Sequence, residues 1–505
     1  MLLADVVATS ATVAATRSRK AKVAAIAALL AVAADDEVET VTAYVGGALR
    51  QRRTGLGWRG LSSLPPPASE PSLTVTEVHA AFDALAELSG AGSKAARSAA
   101  VADLFARATS DEQVWLRGVV TGAVRQGALD SLVQEGLAVA ADVPLAAVRR
   151  AAMLAGSTVA VAGAAFEGVD ALAAIGLEVG RPVVPMLASS APTVADALAK
   201  AGGGDPVAVD VKLDGIRIQV HRSGDDVVVA TRSLEDITSR LPEVVAVARS
   251  LPATAFVLDG EALAIGDDGR PRPFQETASR TAMSAGVVVT PYFFDVLHLD
   301  GEDLLDSPAS VRAEALERLV PADHRVPRLV TASASESSAV LDQTLGSGHE
   351  GVVVKSLTAP YDAGRRGASW VKVKPVHTLD LVVLAVEWGS GRREGWLSNI
   401  HLGARDPSSG ELVMLGKTFK GMTDEMLAWQ TERFTELAVS PSGVRDHYVV
   451  EVRPEQVVEI AFDGVQRSTR YPGGVALRFA RVVRYRDDKP VAEIDTIETV
   501  RGYLS

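Results

Sequence analysis

Lys212, in the stretch Val211-Lys212-Leu213-Asp214-Gly215-Ile216-Arg217, has the setting of a covalent amine nucleophile. It follows an apolar run, Val207-Ala208-Val209, and the Asp214-Gly215 pair after it turns the chain sharply while letting a ligand approach the backbone. Asp-Gly turns are common and most lysines are simply solvated, so the heptapeptide takes its meaning from the rest of the chain. A lysine amine has a reference pKa of about 10.4, so near neutral pH fewer than about one in a thousand are unprotonated. Nucleophilic attack therefore needs desolvation and neighbouring cations. Lys372 and Lys374, in Trp370-Val371-Lys372-Val373-Lys374, alternate along a strand, face one side and can supply that field.

The elements that must position these groups divide the 505 residues into three parts. Residues 1–178 read as an all-α domain, rich in Ala, Leu and Val at helical spacing, as in Val119 to Leu137 and Ser157 to Leu177. Within it, Lys20-Ala21-Lys22 precedes the apolar run Val23 to Leu30. That run is too short to span a bilayer and is not at the extreme terminus, so it reads as a buried helix rather than a signal peptide. Arg181-Pro182-Val183-Val184-Pro185 marks a boundary, since two prolines in five residues forbid a helix there.

Residues 179–375 then read as strands, at Val207 to Leu213, Ile216 to His221, Val227 to Ala230, Phe256 to Ile265, Pro291 to Leu299, Val352 to Val354 and Trp370 to Lys374. A helix from about Ser310 to Leu319 makes the domain α+β. In residues 376–505 the runs Leu381 to Trp388, Trp396 to Leu402, Leu412 to Lys420 and Gln456 to Phe462 predict a small β-barrel, interrupted by a helix over Thr423 to Leu437.

Composition narrows the function. Cysteine is absent, which excludes disulfides and four-cysteine zinc sites. A net charge of −12 argues against binding nucleic acid through overall charge, leaving local patches: Arg50 to Arg53 with Arg59, and Arg478 to Lys489.

Seven pieces in order carry a family resemblance: Lys212 to Arg217; Thr231-Arg232-Ser233-Leu234-Glu235-Asp236; Leu258-Asp259-Gly260-Glu261; Phe293-Phe294-Asp295; Glu350 to Lys355; Trp370 to Lys374; and the basic stretch opened by Arg478-Phe479-Ala480-Arg481. Over residues 180–505 the chain resembles the ATP-dependent DNA ligases of the lysine-nucleotidyltransferase superfamily. The resemblance implies an all-α DNA-binding domain, an adenylation domain and a C-terminal OB-fold barrel.

It also implies roles. Lys212 would take AMP from ATP in a phosphoramidate. Arg217, Arg232 and Glu261 would hold the ribose and phosphates, Phe294 would stack on adenine, and Arg366 would reach the nucleotide from the loop before Lys372. Glu261 and Glu350 would lie near Mg²⁺. Arg478, Arg481 and Lys489 would orient the pyrophosphate, after which the last domain would swing away and turn Lys417 and Lys420 towards DNA. Trp115-Leu116-Arg117-Gly118 and Arg125-Gln126-Gly127-Ala128 would grip phosphates. Lys355 has no assigned role, a surface lysine being the plain alternative.

One departure stands out. Asp210 occupies the place where the family usually has a glutamate that reads the adenine amino group, and its shorter side chain puts nucleotide selectivity in question. The substrate implied is nicked duplex DNA, enclosed by a single monomeric chain in a bacterial cytoplasm, with no membrane contact. The NAD-dependent ligases share the nucleotidyl core but use a four-cysteine zinc site. An RNA ligase or mRNA-capping enzyme is the nearest enzymatic alternative, and a DNA-binding scaffold without activity is the non-enzymatic one.

Overall fold

The computed structural model of the chain describes residues 1–124, 126–127, 130–280, 286–362, 366–390, 393–440 and 448–504, with the backbone alone for Arg366. Helices dominate the first part: Leu3–Ala15, Arg19–Leu30, Val38–Val45, Val75–Glu87, Ser93–Ala106, Ser110–Val120, Asp130–Ala140 and Leu145–Ala155. They pack around one apolar core that includes Leu3, Val6, Ile26, Leu30, Tyr44, Phe82, Phe105 and Leu116. Capping boxes set two starts: Thr74 with Glu77, and Thr109 with Glu112.

The Val23 to Leu30 run lies in a helix whose Ile26, Ala27, Leu29 and Leu30 are buried. Two expected long helices are interrupted. Val119 to Leu137 is split between Ser110–Val120 and Asp130–Ala140, with Gly122 and Gly127 in the left-handed region between them. Ser157 to Leu177 is broken into a 3-10 turn at Val159–Val161 and the short helices Ala162–Glu167 and Val169–Ala173, the last two separated at Gly168 (φ 116°). Apolar spacing runs through such breaks unchanged, because the helices on either side bury the same face.

Among the described residues the middle of the chain has ten strands: β1 (Leu187–Ser190), β2 (Val207–Lys212), β3 (Ile216–Ser223), β4 (Asp226–Thr231), β5 (Ala255–Leu263), β6 (Thr290–Leu299), β7 (Glu302–Asp303), β8 (Arg328–Thr331), β9 (Gly351–Ser356) and β10 (Arg366–Val373). They form two sheets, ordered β1-β10-β9-β2-β8 and β4-β3-β5-β6-β7. The turn at Asp214 and Gly215 passes from one sheet to the other, so Lys212 ends β2 at the seam. The expected helix near Ser310 is Ala309–Leu319. Behind the second sheet lies a core built on Ile218, Val220, Phe256, Phe293 and Leu316; behind the first, one built on Val207, Val209, Val352, Val354 and Val371.

Eight strands follow among the described residues: β11 (His377–Trp388), β12 (Leu397–Arg405), β13 (Leu412–Thr418), β14 (Val449–Glu451), β15 (Val457–Phe462), β16 (Gly464–Arg467), β17 (Val475–Arg478) and β18 (Arg481–Tyr485). The sheet path is β13-β12-β11-β15-β18, with β14 on β11 and a separate β16-β17 pair. Among the described residues the expected barrel is a curled, open sheet. Its edges meet only where Thr418 Oγ1 donates to the Ala480 carbonyl at 2.6 Å and the Val482 N–H donates to the Lys420 carbonyl at 2.9 Å. Gly421 (φ 86°) and Phe479 (φ 56°) bend the chain at this seam, which leaves it without a ladder.

Candidate active site

β2 and β9 pair in antiparallel register, setting Lys212 opposite Gly351 and next to Glu350. A side chain at Gly351 would collide with the Val373 carbonyl, so only glycine lets β9 start this close to the end of β10. Gly215 is likewise required, because a Cβ there would run into the Ala262 carbonyl. Its role is close strand packing, whereas the sequence had suggested close approach of a ligand.

Lys212 Nζ forms an ion pair with Glu350 Oε2, while Glu350 Oε1 accepts from Lys374 Nζ at 2.7 Å. Burial alone would raise the Glu350 pKa, but Lys212 and Lys374 outweigh it and hold the carboxyl below its ordinary value. Lys374 also donates to Asp463 Oδ2, 2.6 Å away on the segment between β15 and β16. Burial disfavours its ammonium, yet Asp463 and Glu350 prevail and raise its pKa.

On the opposite wall β3 and β5 pair Arg217 with Glu261, and the Gly215 N–H donates to Glu261 Oε1 at 3.2 Å. Desolvation pushes the Glu261 carboxyl up to about 7, against the pull of Lys212 and Arg217. Arg217 grips Asp259 through Nε at 3.0 Å and Nη2 at 2.7 Å, and Tyr361 OH donates to the same carboxylate at 2.6 Å.

These groups open on one cavity of about 1020 Å³, lined among others by Asp210, Lys212, Arg217, Arg232, Glu261, Phe294, Glu350, Lys372, Lys374 and Arg478. One end is aromatic, with Phe294 and Trp370 edge to face at 5.8 Å. The other end is cationic. Arg232 is exposed on a tight turn in which Leu234 sits at φ 63°. Arg478 crosses from the third part of the chain, Nη1 donating to Asp214 Oδ2 at 2.7 Å.

Among the described side chains, two of the expected site residues do not line the cavity. Arg481 stands one ion pair behind it, on Asp463 at 3.2 Å. Lys489 is held on Asp380 at 2.8 Å, with Arg486 on the same carboxylate. The backbone of Arg366 opens β10 opposite Leu187, and its side chain lies outside the described residues. The basic stretch is thus neutralised group by group, with Arg484 on Glu459 as well.

Asp210 lines the cavity with its carboxylate already paired. It is buried, and its carboxylate accepts from Arg328 Nε at 2.6 Å, Arg328 Nη2 at 2.8 Å and Lys355 Nζ at 2.7 Å. Desolvation would raise its pKa, but these two cations overcome that and lower it. Its oxygens are therefore committed to internal partners.

Lys355, not assigned from sequence, is buried with its ammonium 4.4 Å from the Phe294 ring centroid and 4.3 Å from that of Trp370. Its place at the end of Glu350 to Lys355 was the available signal. Asp463, on a short Phe462-Asp463-Gly464 connection, offered none. Of the presumed phosphate grips, Trp115 to Gly118 lies inside a helix, with Trp115 and Leu116 buried and Gly118 against Val124. Gln126 is buried and bonded to Ser10, while Arg125 and Ala128 lie outside the described residues. Lys417 is paired with Glu387 at 2.6 Å, and Lys420 stands 5.4 Å from the Phe479 ring.

Comparison with known proteins agrees with this geometry. The family model described as DNA ligase N terminus matches residues 61–138. ATP dependent DNA ligase domain matches residues 185–374, and ATP dependent DNA ligase C terminal region matches 393–489. A Nocardioides protein named "Probable DNA ligase" is 78% identical over 509 residues, covering 100% of this chain and 99% of its own. One of the same name from Kineococcus radiotolerans is 67% identical over 504 residues, covering 99% of each. The solved structure Pmar-Lig_PreS3 matches with a TM-score of 0.62 at 17% identity, over 95% of this chain and 99% of that one, a likeness of fold alone. With a lysine, paired carboxylates and an aromatic wall gathered in one cavity, and with relatives matched end to end, the chain belongs to the ATP-dependent DNA ligases.

Proposed function

We propose that this ligase seals nicks in duplex DNA by way of a Lys212-AMP intermediate. The observation that carries the reading is the placement of Lys212 at the junction of an aromatic and a cationic end of a single cavity. Adenine lies against Phe294; Arg217 and Glu261 hold the ribose side; Arg232, Lys372, Lys374 and Arg478 face the phosphates. Lys212 gives up a proton to solvent, and its Nζ then forms a bond to the α-phosphorus as the bond to pyrophosphate breaks. The 5′-phosphate of the nick next displaces Lys212 from AMP. Finally the 3′-hydroxyl attacks that phosphate, loses its proton and expels AMP.

The cations supply charge stabilisation that strengthens as phosphate charge moves, usually the largest contribution to such catalysis. Arg481 holds Asp463, the partner of Lys374, and Lys489 joins only after a further rotation of its domain. Among the described residues no three His, Cys, Asp or Glu gather as a metal cage. Mg²⁺ fits as an ion shared with the phosphates: Glu261 and Glu350 offer hard oxygens beside Lys212, and both Glu350 oxygens already face ammonium charge. It would neutralise phosphate charge there.

The working division is 1–178, 179–375 and 376–505, acting as a monomer in the cytoplasm and holding DNA through its backbone. Among the described residues no single helix is long and apolar enough to cross a membrane.

The test is incubation with α-labelled ATP and Mg²⁺, then a chase with nicked duplex. Wild type should hold label and release it as the nick seals, and Lys212→Ala should hold none. Labelling by GTP alone, or joining of RNA alone, would overturn the reading.

A further inference from the structure

We propose that Gln219 and His221 are positioning residues that strap the interdomain segment 176–187 to the adenylation domain, holding the helical domain in register with the nucleotide cavity. The proposal rests on the ligase reading above. Arg217, Gln219 and His221 alternate on β3 and therefore share a face. The chain entering from the helical part runs antiparallel along that face. The Met186 carbonyl accepts from Arg217 Nη1 at 2.7 Å. The Val183 N–H donates to Gln219 Oε1 at 2.7 Å, and Gln219 Nε2 donates back to the Val183 carbonyl at 3.3 Å. The Gly180 N–H donates to His221 Nδ1 at 3.0 Å.

β3 is already paired on both edges, with β4 and β5, so a segment lying along its face cannot join it through a regular ladder. The side-chain amide and imidazole take over the pairing instead. Because Nδ1 accepts, the ring proton sits on Nε2 and is donated to Gln219 Oε1 at 2.9 Å. That bond fixes the orientation of the Gln219 amide. Gln219 and His221 are both buried, so each bond is shielded from water.

The other side of the strap is bound to the helical domain. The Val184 N–H donates to the Met153 carbonyl at 3.0 Å, and Arg181 Nε to the Leu154 carbonyl at 3.2 Å. Met153, Leu154, Val183 and Met186 share an apolar cluster with Tyr361 and Trp370, the latter on the cavity wall. One rail thus runs from the helical domain to Arg217. Self-adenylation needs only the cavity, whereas sealing needs the cavity and the helical domain on the same nick. Loss of the strap should separate the two.

The experiment compares wild type with Gln219→Leu, His221→Leu and His221→Asn, whose Oδ1 can still accept the Gly180 N–H. Self-adenylation by the leucine variants should stay within about twofold of wild type, with sealing at subsaturating nicked duplex down about tenfold and its KM raised. His221→Asn should recover most of the sealing. Amide hydrogen exchange across residues 176–187 should quicken in the leucine variants. Sealing that falls only in proportion to adenylation, or no better in Asn than in Leu, would overturn the strap. So would unchanged exchange, which reads the strap even in a chain that does not ligate. If wild type itself fails to adenylate or seal, the ligase reading falls instead.

Discussion

At the scale of single residues, most of the charges that line the cavity are held in pairs, and the pairs differ in what they can do. Lys212 and Lys374 share the half-buried Glu350, a contact that an incoming nucleotide can rearrange. Asp210 is different, being enclosed with Arg328 and Lys355 and open to no exchange. Asp210→Ala would leave two cations facing an apolar wall, and should destabilise the chain by about 3–5 kcal/mol in urea unfolding. Asp210→Asn, which keeps the shape and one accepting oxygen but turns an N–H towards a cation, should cost somewhat less.

His221 offers a pH test. Burial, with a smaller push from His298 (itself paired with Asp303), lowers its pKa to about 4. A neutral ring is therefore favoured by the fold. Its stabilisation is complete above the ordinary imidazole value of about 6.5 and lost as pH falls through about 4, amounting to at most about 3 kcal/mol. Thermal unfolding between pH 7 and 4 should show this loss in wild type and a flatter profile in His221→Asn.

At the scale of elements, the site depends on two sheets meeting within a single turn. Gly215→Ala drives a methyl group into the Ala262 carbonyl. The β2–β3 turn must then shift, moving Lys212 relative to Glu350, and a displacement of about 1 Å can cost about a hundredfold in rate. Self-adenylation by this variant should fall by about that factor, while circular dichroism stays close to wild type. Unchanged adenylation would show that the turn tolerates the shift.

At the scale of the whole molecule, the cavity belongs to two domains at once. Arg478 reaches Asp214, and Asp463 reaches Lys374, both across the interface between the middle and last parts of the chain. These pairs are partly exposed and subject to screening, so they favour closure without locking it. Arg478→Ala should slow self-adenylation about tenfold or more, while enzyme already carrying AMP should seal nicks at nearly the wild-type rate. Equal losses in both steps would place Arg478 in DNA joining as well.

Sequence by itself determined the chemistry-bearing motifs and the element types that carry them. Lys212 and Lys372 are legible because strand alternation and glycine turns are local properties, whereas Glu261, Phe294, Glu350 and Arg478 are reached only through the ordered motifs that resemble a family. Helix breaks near Gly122 and Gly168 and the open seam of the last sheet escaped, since apolar spacing does not report where a backbone bends. Only the tertiary structure decided which charges meet. The closure of Arg328 and Lys355 on Asp210, the anchoring of Lys374 by Asp463, the withdrawal of Lys489 to Asp380 and the strap on Gln219 and His221 all join residues distant in sequence. No spacing rule encodes such pairs, because their partners are chosen by how whole sheets and domains pack.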